Sequence, residues 1–406
     1  MNLKHIIFFC LLLMPVACIT EQEHVKPGID ILLEEHSDLV TGKSVGLITN
    51  PTGLTHDMRS TIDALHENPA ITLIALFGPE HGVRGDIEGG YRIDNYVDEK
   101  TGIQVFSLYG ETRKPTVDML AGIDVLMYDI QDIGSRAYTY IYTMALAMEA
   151  AAEHDIPFIV LDRPNPLGGD LLEGDVLDTA FSSFIGMYPI PYVYGMTVGE
   201  LALLFNEEFD IHCDLTVITM KNWKRSMRFE QTGLHWVLPS PHVPRPSTSD
   251  FVATTGCIGE LGTVSIGVGY TLPFELVGAP WINPERLANE LNSRNLSGVE
   301  FRPLFFRPFY YHFEKEQCGG VQIHITDHDT FSPFKTQIHI LTALRKLFPD
   351  HDIFDTRRIT SFDKAFGTDQ IRIKIRDGVA AEEIIRAGQN EIDHFLSIRS
   401  KYLLYE

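Results

Sequence analysis

The chain has 406 residues, of which 44% are hydrophobic, 22% charged and 10% aromatic, a globular composition that excludes a disordered, collagenous or coiled-coil protein. Its length implies two domains, or three, each large enough to bury a core. With 33 Lys+Arg against 55 Asp+Glu the formal net charge is −22, so nucleic acid is not an expected partner, although a few local arginines still suffice to clamp one carboxylate.

Residues 1–18 begin with Lys4 and His5 and continue as an apolar run from Ile6 to Cys18. The run is shorter than the roughly 20 residues of a membrane-spanning helix and reads as a bacterial export signal. Ala17-Cys18 suggests lipoprotein processing with Cys18 lipidated. The expected location is therefore periplasmic or membrane-anchored, the anchor being that one residue. Cys213, Cys257 and Cys318 are far apart, with no CxxC, and read as buried apolar thiols rather than a disulfide framework or a zinc site.

Apolar, β-branched runs then alternate with helical patterns. Strands are predicted at Ser44–Thr49, Ile71–Phe77, Gln104–Leu108, Asp124–Tyr128, Pro157–Leu161 and Leu215–Thr219, and helices at Thr61–Asn68, Thr116–Ala121, Tyr138–His154 and Thr197–Phe209. Nearly continuous apolar strands separated by helices indicate a parallel sheet covered on both faces, a Rossmann-like α/β domain over 28–280. Right-handed crossovers place every post-strand turn along one edge of that sheet, where open α/β sheets bind ligands. Beyond about residue 280 helices at Asn283–Arg294, Pro333–Phe348 and 380–399 mix with strands at Val299–Phe306 and Gly320–Ile325. That pattern predicts a smaller α+β domain over 281–406.

The carboxyl-edge turns carry the polar clusters. Asn50 follows the first strand in Thr-Asn-Pro-Thr-Gly, which is not the G-x-G-x-x-G of a dinucleotide site. No Walker A loop, H-E-x-x-H or G-x-S-x-G occurs, so no cofactor is indicated. Gly78-Pro-Glu-His-Gly-Val-Arg-Gly85 is a tight turn presenting Glu80, His81 and Arg84. A carboxylate there is positioned to exchange a proton, or merely to cap a helix. Asp129-Ile-Gln131-Asp132 and Arg136 follow the fourth strand. They suit sugar hydroxyls, a second catalytic carboxylate or a divalent cation, or else an N-cap and an ion pair. Asp162-Arg163-Pro-Asn165-Pro is stiffened by its prolines. Tyr138, Tyr140, Tyr142, Tyr188, Tyr192 and Tyr194 read as core packing rather than sugar platforms. Leu238–Pro246 is a rigid loop that either walls a cleft, with His242 or Arg245 facing it, or runs over the surface.

Taken together, the strings GLITNPTGL, ALFGPEHGVRGD, VFSLYGETRKPT, DIQDIGSRAYTYIYTM, VLDRPNPLGG, YPIPYVYGMTVGELA, PFELVGAP and CGGVQIHITD resemble the exo-β-N-acetylmuramidase (NamZ-like) family from about Gly28 to the C-terminus. The resemblance implies a glycoside hydrolase that removes terminal β-linked N-acetylmuramic acid (MurNAc) from peptidoglycan fragments, with the glutamate of G-P-E-H-G, here Glu80, as catalytic acid/base. The chain departs from the family pattern at Ser265–Thr271, where a Glu-Gly-Arg-Gly stretch is usual. Arg84, Arg136, Arg163 and Arg245 are the candidates for the lactyl carboxylate, and Asn50, His81, Asp129, Gln131, Asp132 and Asp162 for hydroxyls and the acetamido group. Two other readings remain: a metal-dependent hydrolase using Asp129, Asp132 and Glu80, and a non-catalytic wall-binding lipoprotein.

Overall fold

The computed structural model describes residues 24–85 and 94–406; the expected leader and Cys18 lie outside them. Among the described residues the first lobe carries strands β1 (Ser44–Thr49), β2 (Thr72–Gly78), β3 (Tyr96–Val97), β4 (Gln104–Ser107), β5 (Val125–Asp129), β6 (Phe158–Leu161), β7 (Glu173–Val176), β8 (Pro191–Val193) and β9 (Leu215–Ile218). Seven of them form one sheet in the order β3-β4-β2-β1-β5-β6-β9. It is parallel throughout except where β3 meets β4. Without β3 this is the doubly wound order, reversing between β1 and β5. Thr49 pairs with Asp129 there, so two polar ends lie side by side at the switch point.

Every residue of β5 and β6 is buried, as a strand covered on both faces requires. Helices α1 (Gly28–Glu35) and α2 (Thr61–His66) close one face, with Ile29, Ile62 and Leu65 packed on Val45 and Leu47. Helices α3 (Tyr140–Glu153) and α4 (Val198–Glu208) close the other, with Met144, Met148 and Leu204 against Tyr128 and Phe158. The helix expected at Thr116–Ala121 is instead a series of turns. Six residues are too few to offset helix nucleation, and Gly122 (φ 80°) reverses the chain at once.

The second lobe holds α5 (Thr248–Gly259), β10 (Leu276–Ala279), α6 (Pro284–Asn292), β11 (Val299–Phe306), β12 (Cys318–Ile325), α7 (Pro333–Leu347), α8 (Ile359–Phe366), α9 (Gln370–Arg376), α10 (Ala381–Ala387) and α11 (Gln389–Arg399). Its sheet is antiparallel, ordered β10-β12-β11. Asn283 and Ser332 cap α6 and α7, each followed by proline in the first turn. The change of core lies near residue 248, ahead of the expected 280. Phe251, Ala253, Cys257 and Ile258 of α5 and Val277 of β10 join the cluster built on α7 and β12. The reason is the pairing of Gly278 with Gly320, which recruits β10 to a sheet whose other strands come later. Cys213, Cys257 and Cys318 are buried free thiols, as expected.

Two of the connections between the lobes are built on buried groups. Helix α11 returns to the first lobe, inserting Phe395 into its core; Arg399 Nη2 donates to Gly195 O at 2.7 Å and Tyr405 Oη to Asp162 Oδ2 at 2.5 Å. The second is Arg136, whose side chain is completely buried. Its Nη1 donates to Asp175 O and Ile190 O, both at 2.8 Å, and its Nη2 to Phe366 O at 2.5 Å and Ala365 O at 3.4 Å. The last two carbonyls end α8, where the helix dipole favours a cation. Gly367 follows in the left-handed region, and a Cβ there would lie 2.6 Å from Arg136 Nη2. Arg136→Met takes from all four carbonyls their guanidinium donor, leaving Ile190 O only Leu177 N at 3.2 Å, so stability measured by urea unfolding falls by at least about 3 kcal/mol. A loss below about 1 kcal/mol contradicts the clamp.

Candidate active site

The turn after β2 delivers Glu80. Gly78 ends the strand, Pro79 O accepts from Gly82 N at 3.1 Å, and His81 is held at φ 75°. A left-handed non-glycine residue is costly and persists only where its surroundings over-determine it. The turn projects Glu80 and His81 into a cleft of about 590 Å³ between the lobes. Tyr109, two residues beyond β4, hydrogen-bonds Glu80; burial and then the Glu80 charge raise its phenol above the usual range.

The remaining first-lobe wall is Ala137–Tyr140, at the N-terminus of α3, and Ser240–His242. Tyr140 Oη donates to Pro239 O at 2.6 Å. Asn50 Oδ1 is held by Thr52, and its Nδ2 faces Tyr140 without an acceptor in hydrogen-bond geometry. His242 pairs through Nε2 with Tyr310 Oη at 2.8 Å. Burial, and then the proximity of His81, lower its pKa. The opposite wall belongs to the second lobe: Glu260 after α5, Ile266, Val268, Phe274, Tyr310 and Tyr311.

Most of the polar residues expected at the carboxyl edge are occupied within the protein. Asp129, fully buried, receives Arg163 through Nε at 2.5 Å and Nη2 at 2.9 Å, and Thr61 Oγ1 at 2.5 Å. Asp162 accepts from Arg163 N, Thr197 Oγ1, Gly199 N and Tyr405 Oη, which makes it a buried cap. Gln131 Nε2 donates to Asp132 O and Pro164 O, and Asn165 Nδ2 to Met196 O. Asp132 Oδ2 accepts from Gly134 N and the Tyr194 hydroxyl, while Oδ1 is buried without a donor.

The arginines fare alike. Arg84 forks onto Asp98 at 2.9 and 3.0 Å and reaches Asp63 at 3.0 Å. Arg136 and Arg163 are buried in their own contacts. Arg245 pairs with Glu275 and lies outside the cleft lining, though its side chain is 57% exposed. The cleft thus gathers Glu80 and His81, while Asn50 is buried beside Tyr140 outside the lining. Tyr138 and Tyr140 also reach the lining, though Tyr140 is buried in the core as expected; Tyr142, Tyr192 and Tyr194 are core, and half-buried Tyr188 stacks on Phe209. Tyr109, Glu260, Phe274, Tyr310 and Tyr311 escaped sequence reasoning: Tyr109 and Phe274 lay within noted strings, whereas the other three stand in segments with no local signature.

Known proteins now bear on this geometry. The model of the N-terminal domain of the exo-beta-N-acetylmuramidase NamZ matches residues 45–247, and that of its C-terminal domain residues 253–405. The chain belongs to the NamZ family. A NamZ relative from Bacillus subtilis (strain 168), named a peptidoglycan beta-N-acetylmuramidase, is 50% identical over 381 residues, 94% of this chain and 91% of that protein. A DUF1343 family protein of Bacteroides fragilis NCTC 9343 superposes with TM-score 0.90 at 47% identity, covering 94% of this chain and 99% of its own. A second from the same organism gives 0.75 at 30%, covering 95% and 99%. Like its NamZ relatives the chain is a glycoside hydrolase, which sets aside the purely binding lipoprotein. The metal-hydrolase reading loses its donor set, because Asp129 is filled by Arg163 and Thr61, and Asp132 is enclosed by Tyr194. Among the described residues no three His, Cys, Asp or Glu side chains are placed to share an ion.

Burial pushes the Asp132 carboxyl up to about 6, opposed by the Tyr194 hydroxyl. A folded-state value above the unfolded one means the native state holds the proton between about pH 4 and 6. Asp132 therefore favours folding below pH 4, and this contribution is lost as pH rises through 6. Asp132→Asn removes that loss. Measured by urea unfolding, the variant's stability relative to wild type is higher at pH 7 than at pH 4 by up to about 3 kcal/mol; an equal difference at both pH values contradicts this assignment.

Proposed function

We propose that the protein is an exo-acting β-N-acetylmuramidase that hydrolyses terminal β-linked MurNAc from peptidoglycan fragments, with Glu80 as its catalytic acid/base. The observation that carries the reading is the His81-strained turn, which holds Glu80 at the carboxyl edge of the sheet and in the cleft between the lobes. In hydrolysis the bond from the anomeric carbon to the leaving oxygen breaks, Glu80 supplies the proton to that oxygen, and water supplies the new hydroxyl. Glycosidases use two carboxyl groups. The other carboxylate among the described lining residues is Glu260, on the facing wall, with Arg358 Nη2 on its Oε2 at 3.2 Å.

Recognition of the lactyl carboxylate falls to the start of α3. No side chain caps that helix and no acidic residue lies in its first turn, while Thr139 and Tyr140 line the cleft. Its N-terminal N–H groups and dipole favour an anion, a role that Arg84, Arg136 and Arg163 cannot fill from their internal contacts. The imidazoles of His81 and His242 suit the sugar's polar substituents, whereas the Tyr138 hydroxyl is buried and that of Tyr140 is spent on Pro239 O. No cofactor is required by this chemistry. Residues 1–18 support export, with Cys18 as the proposed lipid anchor and the periplasm or its membrane face as the place of action.

The assay is release of MurNAc from a chromogenic β-MurNAc glycoside by the purified protein, with NMR of the first anomer formed. Glu80→Gln lowers turnover by roughly 10²–10⁴-fold at unchanged thermal stability. Near-wild-type turnover in that variant overturns the assignment. Glu260→Gln is expected to fall comparably.

A further inference from the structure

The segment joining β11 to β12 departs from the rule that large apolar side chains are covered. Phe309, Tyr310 and Tyr311 are 63%, 51% and 52% exposed, consecutive in sequence and directly beside the cleft. Their backbone is costly to hold: Tyr311 (φ 71°), Phe313 (φ 62°) and Lys315 (φ 62°) all occupy the left-handed region without being glycine. Three such residues within five positions constitute stored strain of the kind found at ligand clamps.

The loop is nonetheless fixed. Phe309 N donates to Gly269 O at 2.7 Å, and the Phe309 ring stacks on Tyr270 with centroids 5.6 Å apart and planes at 29°. Gly269 (φ 88°) admits this approach alone, since a Cβ there would lie 2.0 Å from Tyr310 O. Gly269 and Tyr270 belong to the 265–271 stretch in which the chain departs from the family pattern. Tyr310 and Tyr311 line the cleft itself, and Tyr310 Oη meets His242 Nε2, so the exposed rings continue the reaction site outward.

We propose that Tyr270, Phe309, Tyr310 and Tyr311 form a stacking platform for the sugar on the leaving-group side of the scissile bond, so that the enzyme selects glycan chains over a lone MurNAc glycoside. This rests on the hydrolytic reading of the cleft. A β-linked hexosamine carries its substituents equatorially and presents apolar C–H faces. Those faces match exposed aromatic rings, while tyrosine hydroxyls meet the polar ring edge. The occupant is thus the glycan aglycone rather than an apolar protein, because the rings are continuous with the sugar-sized cleft.

The test compares kcat/KM on a chromogenic β-MurNAc glycoside with that on a MurNAc-ended tetrasaccharide. Wild type prefers the tetrasaccharide at least tenfold, and Phe309→Ala reduces that preference at least tenfold. Phe305→Ala, an equally exposed phenylalanine on the face of β11 opposite Phe306, the residue whose ring packs on Tyr270, keeps the wild-type ratio. An unchanged ratio in Phe309→Ala, or no wild-type preference, overturns the platform. Calorimetric titration of the tetrasaccharide into Glu80→Gln separates the two readings. Binding that weakens at least tenfold on adding Phe309→Ala supports the platform even if wild type hydrolyses nothing, whereas equal binding overturns it. Sedimentation showing a wild-type dimer dissociated by Phe309→Ala assigns the face to a second copy of the chain and likewise overturns it.

Discussion

A buried cation sits where the cores of the two lobes meet beside the cleft, next to Tyr192, which packs on Phe334 and Phe366 of the second lobe. Arg136 has no carboxylate within its hydrogen bonds; it is answered by carbonyls of Asp175, Ile190, Ala365 and Phe366. Burial lowers its guanidinium pKa, the expected cost of a charge stabilised by dipoles alone. Its own backbone is equally committed, with Arg136 N donating to Tyr192 O and Arg136 O accepting from Tyr142 Oη. The next four residues belong to the cleft's first-lobe wall. One residue therefore joins that wall, through its backbone, to the end of α8 in the second lobe, through its side chain.

The same economy of dipoles and charges explains why the carboxyl edge was legible as a place and misleading as an inventory. Runs such as 125–128 and 158–161 are apolar and buried throughout, and their alternation with helices predicted a parallel sheet; its reversal between β1 and β5 is a finding of the structure. What position alone does not convey is how an edge so deeply packed satisfies its own polar ends. Asp129 and Arg163 answer each other beneath Leu54 O, and Asp162 gathers four donors from three segments. Buried charges must be paired, so charged residues dense at such an edge serve first as its framework. Glu80 and His81 line the cleft because their turn is carried past the end of β2.

The second wall was unreadable for a different reason. Glu260 follows an ordinary helix, and Tyr310 and Tyr311 sit in a short connection; neither has a periodicity that points to a site. They reach the cleft only through pairings remote in sequence, β10 with β12 across some forty residues and Phe309 with Gly269. The C-terminal return is of the same kind, since the contact of Tyr405 with Asp162 spans 243 positions. Glycines at 269, 278 and 320 were visible as residues, but their meaning as points of close backbone approach depends on the partner strand.

Backbone strain is found on both sides of the cleft, at His81 in the first lobe and at Tyr311 and Phe313 in the second. Each such residue would relax if its neighbours could yield, so the strain is sustained by whatever keeps the lobes from shifting. The sheet anchors one end of the first turn, the stack on Tyr270 anchors the aromatic loop, and Arg136 with α11 prevents the lobes from sliding past each other. Buried dipolar contacts are thereby set apart from the proposed acid/base Glu80 and the proposed aromatic platform, which stand on costly turns beside the cleft. If Glu80 is the proton donor, as proposed, this division serves hydrolysis, because the position of Glu80 is decided by packing outside the cleft.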